Sequence, residues 1–523
     1  MSEPRRFWIR TFGCQMNAHD TEKVANLLLH AGWRAAEEPA GADLLIVNTC
    51  SIRAKAEHKL YTDLGLLREW KAAAPGRVLG VGGCVAQQEG AALLDRFRQV
   101  DFVFGTHNLR RVPALAEAAA AGRRAVHVEE SRSLERFDLP ERHPAWAGST
   151  PGRAFLTVME GCDMFCSFCV VPKTRGREIS RPAAAIVAEA RALAEGGVRE
   201  ITLLGQTVNA YGRHDVARGR AAARGVVPFA ELLRQLDAIP GLERIRYTSP
   251  HPVFFDAALI RAHGELAHLC PHVHLPLQSG SDRILERMRR RYTAEQYRAI
   301  VADLRAARPD VAITSDVIVG FPGETEADFA ATLALVEEVA LADHFAFKYS
   351  PRPGTAAAEL PGTLPDAVVQ DRFDRLQALQ DRLRFAAYRA RLGRTCEVLV
   401  EGPSRRGGGQ LRGGDAWRRV ILLEGGAGLA PGDLLTVTIV EATPHSLIGE
   451  PVPGTVRPGR LPGGPQQDGV KTGPDPAEEL RRGEPSRDHP SRTPARRPTR
   501  ESVSAQRGPV RVPLTGAERS SSS

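Results

Sequence analysis

No run of about 18 or more consecutive apolar residues occurs in the 523-residue chain, which argues against a membrane-spanning helix. The opening MSEPRRFWIRTFG lacks the apolar core and small-residue cleavage site of a secretory signal, so a cytoplasmic protein without membrane contact is expected. A strong charge excess is also missing. The formal net charge is +8, but 13 Lys/Arg against 8 Asp/Glu lie between Gly454 and Ser523. Only +3 is left for the rest, so any nucleic-acid surface has to be argued locally. Cysteines are few, at positions 14, 50, 84, 162, 166, 169, 270 and 396. In a reducing compartment they are metal ligands or packed thiols rather than disulfides.

With 42% hydrophobic and 25% charged residues, the chain can bury real cores and should divide into two to four domains. From Phe7 to about Gly122, strand-length runs (FWIRTF, DLLIVNT, RVLGVGG, FVFG) alternate with helical spacing. This predicts a parallel α/β domain over 5–122. Cys14, Cys50 and Cys84 each fall just past the carboxyl end of one of these strands, where open α/β sheets gather their ligands. A polar, aperiodic stretch over 123–147 reads as a linker. Six further strand–helix repeats, beginning AFLTVME, EITLLGQ, RIRYTS, HVHLPL, AITSDVIVG and HFAFKYS, predict a partial (β/α)6 TIM-like barrel over 148–384. Short β-like runs with glycine turns over 387–450 predict a small antiparallel β-barrel. The Pro/Gly/Arg/Ser-rich segment 454–523 is expected to be a disordered tail.

The first barrel strand runs directly into GCDMFCSFC. Cys162, Cys166 and Cys169 form C-x3-C-x2-C, one thiolate short of a closed structural zinc site, which would need a distant fourth ligand. A four-iron cluster can be held by three cysteines with one iron left open. The spacing, with Phe168 before the last cysteine, is similar to that of radical S-adenosylmethionine (SAM) enzymes. There the open iron binds SAM, and electron transfer breaks a C–S bond to give a 5′-deoxyadenosyl radical. Cys270 and Cys396 have no such context and are expected to be packed thiols.

TFGCQMN, NTCSIR, GGCVAQQEG, GCDMFCSFCVVPKTRGREISRP, HLPLQSGSD and VGFPGETEADF together resemble the radical SAM methylthiotransferase family from Phe7 to about Glu450. That resemblance implies a methylthiotransferase domain, a radical SAM core and a carboxyl-terminal TRAM domain. It implies two 4Fe–4S clusters with SAM as co-substrate, the auxiliary cluster on Cys14, Cys50 and Cys84 and the SAM-binding cluster on Cys162, Cys166 and Cys169. The activity implied is conversion of isopentenyladenosine beside the anticodon of tRNA to its 2-methylthio derivative, using two SAM and a sulfur donor. The alternatives are a sister enzyme acting on threonylcarbamoyladenosine or on a ribosomal-protein aspartate, and an RNA-binding module whose clusters are structural. GCQMN and NTCSIR favour the isopentenyladenosine branch.

SAM contacts are expected at the carboxyl ends of the barrel strands, with Gln206, Gln278, Ser279, Gly320 and Glu324 as candidates. Arg175, Arg177 and Arg181, with Lys173, are four cations within nine residues and are candidate contacts to the phosphates of an anticodon stem-loop. Family members often carry tyrosine where Lys173 stands. RGGDAWRRVILL lacks the asparagine usual before the final strand of the TRAM domain. A flavodoxin- or ferredoxin-type electron donor, a sulfur donor and a monomeric state complete the expectations.

Overall fold

The computed structural model describes residues 4–51, 54–131, 133–143, 151–404, 410–459 and 510–511. The amino-terminal part is a six-stranded parallel sheet built from β1 (Arg6–Thr11), β2 (Arg34–Ala35), β3 (Leu44–Thr49), β4 (Val78–Gly83), β5 (Phe102–Phe104) and β6 (Ala125–His127) in the order β2-β1-β3-β4-β5-β6. β3 and β4 are buried along their whole length, as strands covered on both faces must be. Phe7 and Ile9 of β1 enter one core and Trp8 the opposite one, following the two-residue strand period.

β6 corrects the expectation of a linker from residue 123. Its three residues pair with β5 and were too few to show a period. Beyond it, the chain as far as His143 runs back over the first helix, where Asn26 Nδ2 donates to Pro140 O at 3.0 Å. Positions 144–147 lie outside the described residues.

The central part holds six parallel strands, β7 (Arg153–Thr157) and β10 to β14. A short antiparallel pair, β8 (Met159–Glu160) and β9 (Ile179–Ser180), closes the loop that carries Cys162, Cys166 and Cys169. β10 is Glu200–Leu204, β11 Arg244–Tyr247, β12 His272–His274, β13 Ala312–Val319 and β14 Asp343–Lys348. They form two three-stranded sheets, β7-β10-β11 and β12-β13-β14, joined by a parallel bridge from Ile245 to Leu269. This is the expected partial barrel, open between β7 and β14. Ile201, Leu203, Ile245 and Tyr247 pack under the helices. The alternate residues of β10 and β11, Glu200, Thr202, Arg244 and Arg246, therefore point to the opposite face, the lumen.

β15 (Thr395–Pro403), β16 (Leu411–Asp415), β17 (Val420–Leu423), β18 (Leu434–Ala442) and β19 (Leu447–Pro451) run in the order β15-β16-β17-β19-β18, and β15 pairs with β18 to close a five-stranded barrel. The boundary expected between 384 and 387 falls inside one 24-residue helix, Asp366–Arg389. Leu376 and Leu379 of that helix belong to the large barrel's core and Tyr388 to the small barrel's.

The tail expected from 454 also starts too early. Arg457 bonds Glu243 at 2.6 Å and pairs with Glu397, and Gly459 N donates to Asp433 Oδ1 at 2.8 Å. A two-residue strand, β20 (Val510–Arg511), pairs with β18. The rest of the expected tail, 460–509 and 512–523, lies outside the described residues. Among the described residues no helix is long and apolar enough to cross a membrane.

Glu200 joins the two barrels. It bonds Arg153 at 3.1 Å and Arg246 at 3.0 Å, with Arg244 at 3.5 Å. Arg244 and Arg246 in turn donate to the small barrel's Gly414, Glu397, Asp415 and Ala416 carbonyls. Burial opposes ionisation of Glu200, but the three guanidinium groups outweigh it and hold the carboxyl at about 2. The downward shift from 4.5 corresponds to about 3 kcal/mol of stability, present above pH about 4.5 and lost as pH falls toward about 2. Glu200→Gln is therefore expected to lower unfolding free energy by about 3–5 kcal/mol at neutral pH, since it strands buried arginines. Denaturant titrations across pH should show the deficit shrinking as pH falls from about 4.5, where the carboxyl protonates in the unfolded parent, toward about 2, where it protonates in the folded one.

Candidate metal centres

Cys14 caps the helix Gln15–His30 just after β1, Cys50 follows β3 directly, and Cys84 opens the helix Cys84–Glu89 after β4. These strands are neighbours in the sheet, so three thiols distant in sequence meet at one edge. The flanking motif residues hold them there. Asn17 Nδ2 donates to Thr49 O at 2.8 Å, and Asn48 Nδ2 returns a bond to Asn17 O at 2.8 Å. Gly13 sits at φ +126°, where a Cβ would lie 2.2 Å from the Cβ of Cys50. The close approach of the first two cysteines thus requires glycine before the first. A hydrogen bond with the Cys50 thiol and the charge of Arg175 bring the Cys14 thiol down to about 6, whereas burial raises that of Cys84.

Arg175 departs from expectation. Instead of facing an RNA, its side chain is 3% exposed and bonds Asp20 of the first helix at 2.5 Å. Its loop is pinned to the amino-terminal sheet by Thr106 Oγ1, which donates to Thr174 O at 2.6 Å, and by a 2.9 Å bond between His107 Nε2 and Arg175 O. Arg175 thereby reaches from the loop after Cys169 to Cys14 and Cys84. Arg181 is likewise withdrawn, bonded to Thr157 O at 2.7 Å and Glu189 at 2.8 Å. Of the four cations, Lys173 and Arg177 are exposed. Arg177 pairs with Asp163 at 2.6 Å and lies over the ring of exposed Phe165.

Cys162 and Cys166 are buried and Cys169 half-buried, clustered with Met164, Phe168 and Phe254. Thr207 Oγ1 is 3.1 Å from Cys162 Sγ, and the buried Arg290 donates to Cys166 Sγ at 3.4 Å. Burial and the neighbouring Cys166 push the Cys169 thiol up to about 12. Neither Thr207 nor Arg290 was singled out from sequence. Arg290 lies in a run of charge, MRRRY, with nothing to distinguish the one side chain that folds inward.

Among the SAM candidates, Gln206 stands beside this loop. Its Oε1 accepts from Gly161 N, and its buried Nε2 has no partner. Gln278 is buried at φ +67° after β12. Three candidates are engaged elsewhere. Ser279 Oγ lies 3.3 Å from Thr332 Oγ1, and Gly320 N donates to Glu324 Oε2 at 2.9 Å. Glu324 is held at 2.7 Å by Arg372 of helix Asp366–Arg389. These three fasten the barrel to its outer helices.

Both thiol trios fit iron–sulfur ligation. Each offers three cysteines, and polar atoms beside them are left without partners: Ser51 Oγ, Asp20 Oδ1 and Arg175 Nη1 at the amino-terminal trio and Gln206 Nε2 at the barrel trio. Asp163, Glu178 and His214 also bring ligand-type atoms within 4.8 Å of one another, but Asp163 is already ion-paired to Arg177 and His214. Cys270 and Cys396 are buried in other surroundings.

Family models match three segments: the uncharacterized protein family UPF0004 over residues 6–105, the radical SAM superfamily over 156–336 and the TRAM domain over 389–452. A curated protein of Geobacter metallireducens named tRNA-2-methylthio-N(6)-dimethylallyladenosine synthase is 49% identical over 450 residues, 86% of this chain and 99% of that protein. Proteins of the same name from Acidithiobacillus ferrooxidans and Mycobacterium bovis are 49% and 47% identical, each over 85% of this chain, covering 97% and 87% of their own lengths. The chain belongs to the tRNA-2-methylthio-N(6)-dimethylallyladenosine synthase family. Among solved structures, the radical SAM methyltransferase TsrM of Kitasatospora setae, with tryptophan and a SAM analogue bound, shares the fold at a TM-score of 0.50 and 15% identity, over 68% of this chain and 75% of that one. In this synthase-family member the Arg175–Asp20 pair ties the UPF0004 segment to the radical SAM segment. Arg175→Met is expected to cost about 3–5 kcal/mol in denaturant unfolding, because Asp20 is left buried and unpaired. Adding Asp20→Leu should recover most of that loss; failure to recover would show that Arg175 acts through more than its ion pair.

Proposed function

We propose that the protein converts N6-isopentenyladenosine beside the anticodon of tRNA to 2-methylthio-N6-isopentenyladenosine, consuming two SAM and a sulfur donor. The observation that carries the reading is the pairing of two three-cysteine sites in one chain, each with partnerless polar atoms beside it. Curated relatives at 47–49% identity carry the synthase name, and nothing in the chain favours the sister substrates or a purely structural role.

In this reading Cys162, Cys166 and Cys169 hold the SAM-binding 4Fe–4S cluster and Cys14, Cys50 and Cys84 the auxiliary one. The clusters supply reductive SAM cleavage and a place for transferable sulfur, chemistry that side chains lack. The protein's own residues position and shield. Thr207 and Arg290 direct hydrogen bonds at the thiols of Cys162 and Cys166. Arg175 places positive charge against the auxiliary trio, favouring thiolate ligands. Gln206 anchors the start of the cysteine loop and keeps a free amide donor for SAM. Lys173 and Arg177 are the exposed cations left for RNA phosphates at this loop. A cytoplasmic monomer served by a flavodoxin- or ferredoxin-type electron donor goes with this reading.

The test is to separate radical formation from sulfur transfer. Cys162/Cys166/Cys169→Ala should leave about half the iron and form no 5′-deoxyadenosine. Cys14/Cys50/Cys84→Ala should still form 5′-deoxyadenosine on reduction but no methylthiolated isopentenyladenosine stem-loop. Mass spectrometry of both products, with iron analysis, reads the outcome. Methylthio product at the parent rate from the second variant would remove the sulfur site from that trio. Cys270→Ala and Cys396→Ala should keep both clusters.

A further inference from the structure

Where the three domains meet, a cavity of about 300 Å³ is lined by Gln15 of the first helix, Arg153 and Arg246 of the large barrel, and Arg412, Arg418 and Arg419 of the small one. Three glutamates also line it, and all are engaged. Glu200 is held by Arg153 and Arg246, Glu401 by Arg153 and by Arg412 at 3.1 Å, and Glu22 lies 3.2 Å from His19 Nδ1. Arg419 bonds Asp415 at 2.6 Å. Five arginines against three glutamates leave the lining positive, and Arg418 is the one left over. Among the described residues its guanidinium has no hydrogen-bond or ion-pair partner. Its side chain is exposed to the cavity's solvent, yet close packing around it and the like charge of Arg246 lower its pKa.

Its backbone is unusual too. Arg418 sits at φ +67°, in the turn between β16 and β17. That region suits glycine or asparagine. An arginine here is strained, has as its nearby carboxylates Glu200 and Glu401, which other arginines already hold, and crowds Arg246 and Arg153, costs that a bound anion would offset.

We propose that this cavity is a binding site for a phosphoryl oxyanion, with Arg418 as its principal ligand. Clustered guanidinium groups select phosphoryl oxygens by charge and by their planar fork. The group could be free inorganic phosphate or a phosphate of the RNA backbone; only the second source rests on the function proposed above. Held here, the anion is in contact with all three domains at once.

The test uses the full-length protein under anaerobic conditions and its Arg418→Asn variant, whose backbone asparagine accommodates. In phosphate-free buffer the variant should melt no lower than the parent. In the first arm, calorimetric titration with inorganic phosphate should show binding to the parent that weakens about tenfold or more in the variant. In the second, stem-loop RNA affinity is measured against salt, and the logarithmic slope should be shallower by about one in the variant. A change confined to the first arm assigns the site to free phosphate, and one confined to the second to the RNA backbone. Equal phosphate binding together with coincident slopes would overturn the proposal.

Discussion

Arg175 and Asp20 meet at 2.5 Å with both side chains almost wholly removed from water. Neither charge is tolerable there alone, so the loop after Cys169 has to lie against the helix after Cys14. Much else follows from that constraint. It brings a guanidinium carried by the radical SAM segment up to the auxiliary trio, and it sets the face on which the UPF0004 sheet meets the large barrel. Glu160, one residue before the cysteine loop begins, repeats the arrangement, bonded to Lys23 at 3.3 Å and Arg136 at 3.0 Å. Two buried pairs from separate segments thus define one interface beside both cysteine sites.

The other end of the large barrel is organised by the same physics with the signs exchanged. One carboxylate, Glu200, bridges three arginines that begin β7 or lie on β11, and Arg244 and Arg246 direct their remaining donors to carbonyls of the small barrel. The lumen of this barrel is therefore polar, unlike the apolar packing beneath its outer helices. A polar lumen suits a protein that has to admit charged cofactors and substrate into its centre.

Much of this was legible in sequence. All six large-barrel strands and four strands of the amino-terminal sheet announced themselves as apolar runs, and both cysteine trios could be placed at strand ends. Short or glycine-rich elements were not legible. β2 and β6 have two and three residues, and β16 reads LRGGD, too little for a period to show. Charged positions misled for a different reason. Arg175 and Arg177 look alike in a loop, and only the position of Asp20, 155 residues earlier, decides that one is buried and the other exposed. Glu324 is a cofactor candidate by its place after a barrel strand, and its pairing with Arg372, 48 residues later, left no mark in the local sequence. Local sequence reports which groups are charged but not which distant groups they will meet.

The helix Asp366–Arg389 runs unbroken from one barrel's core into the other's. An α-helix advances about 1.5 Å and turns about 100° for every residue. Inserting or deleting a single residue between Leu379 and Tyr388 would therefore swing the small barrel through more than a quarter turn and lift its carbonyls off Arg244 and Arg246. The segment behaves as a keyed shaft. Its length is free to change only in steps that nearly restore the phase, so the two barrels are inherited as one indexed unit rather than as exchangeable modules on a tether.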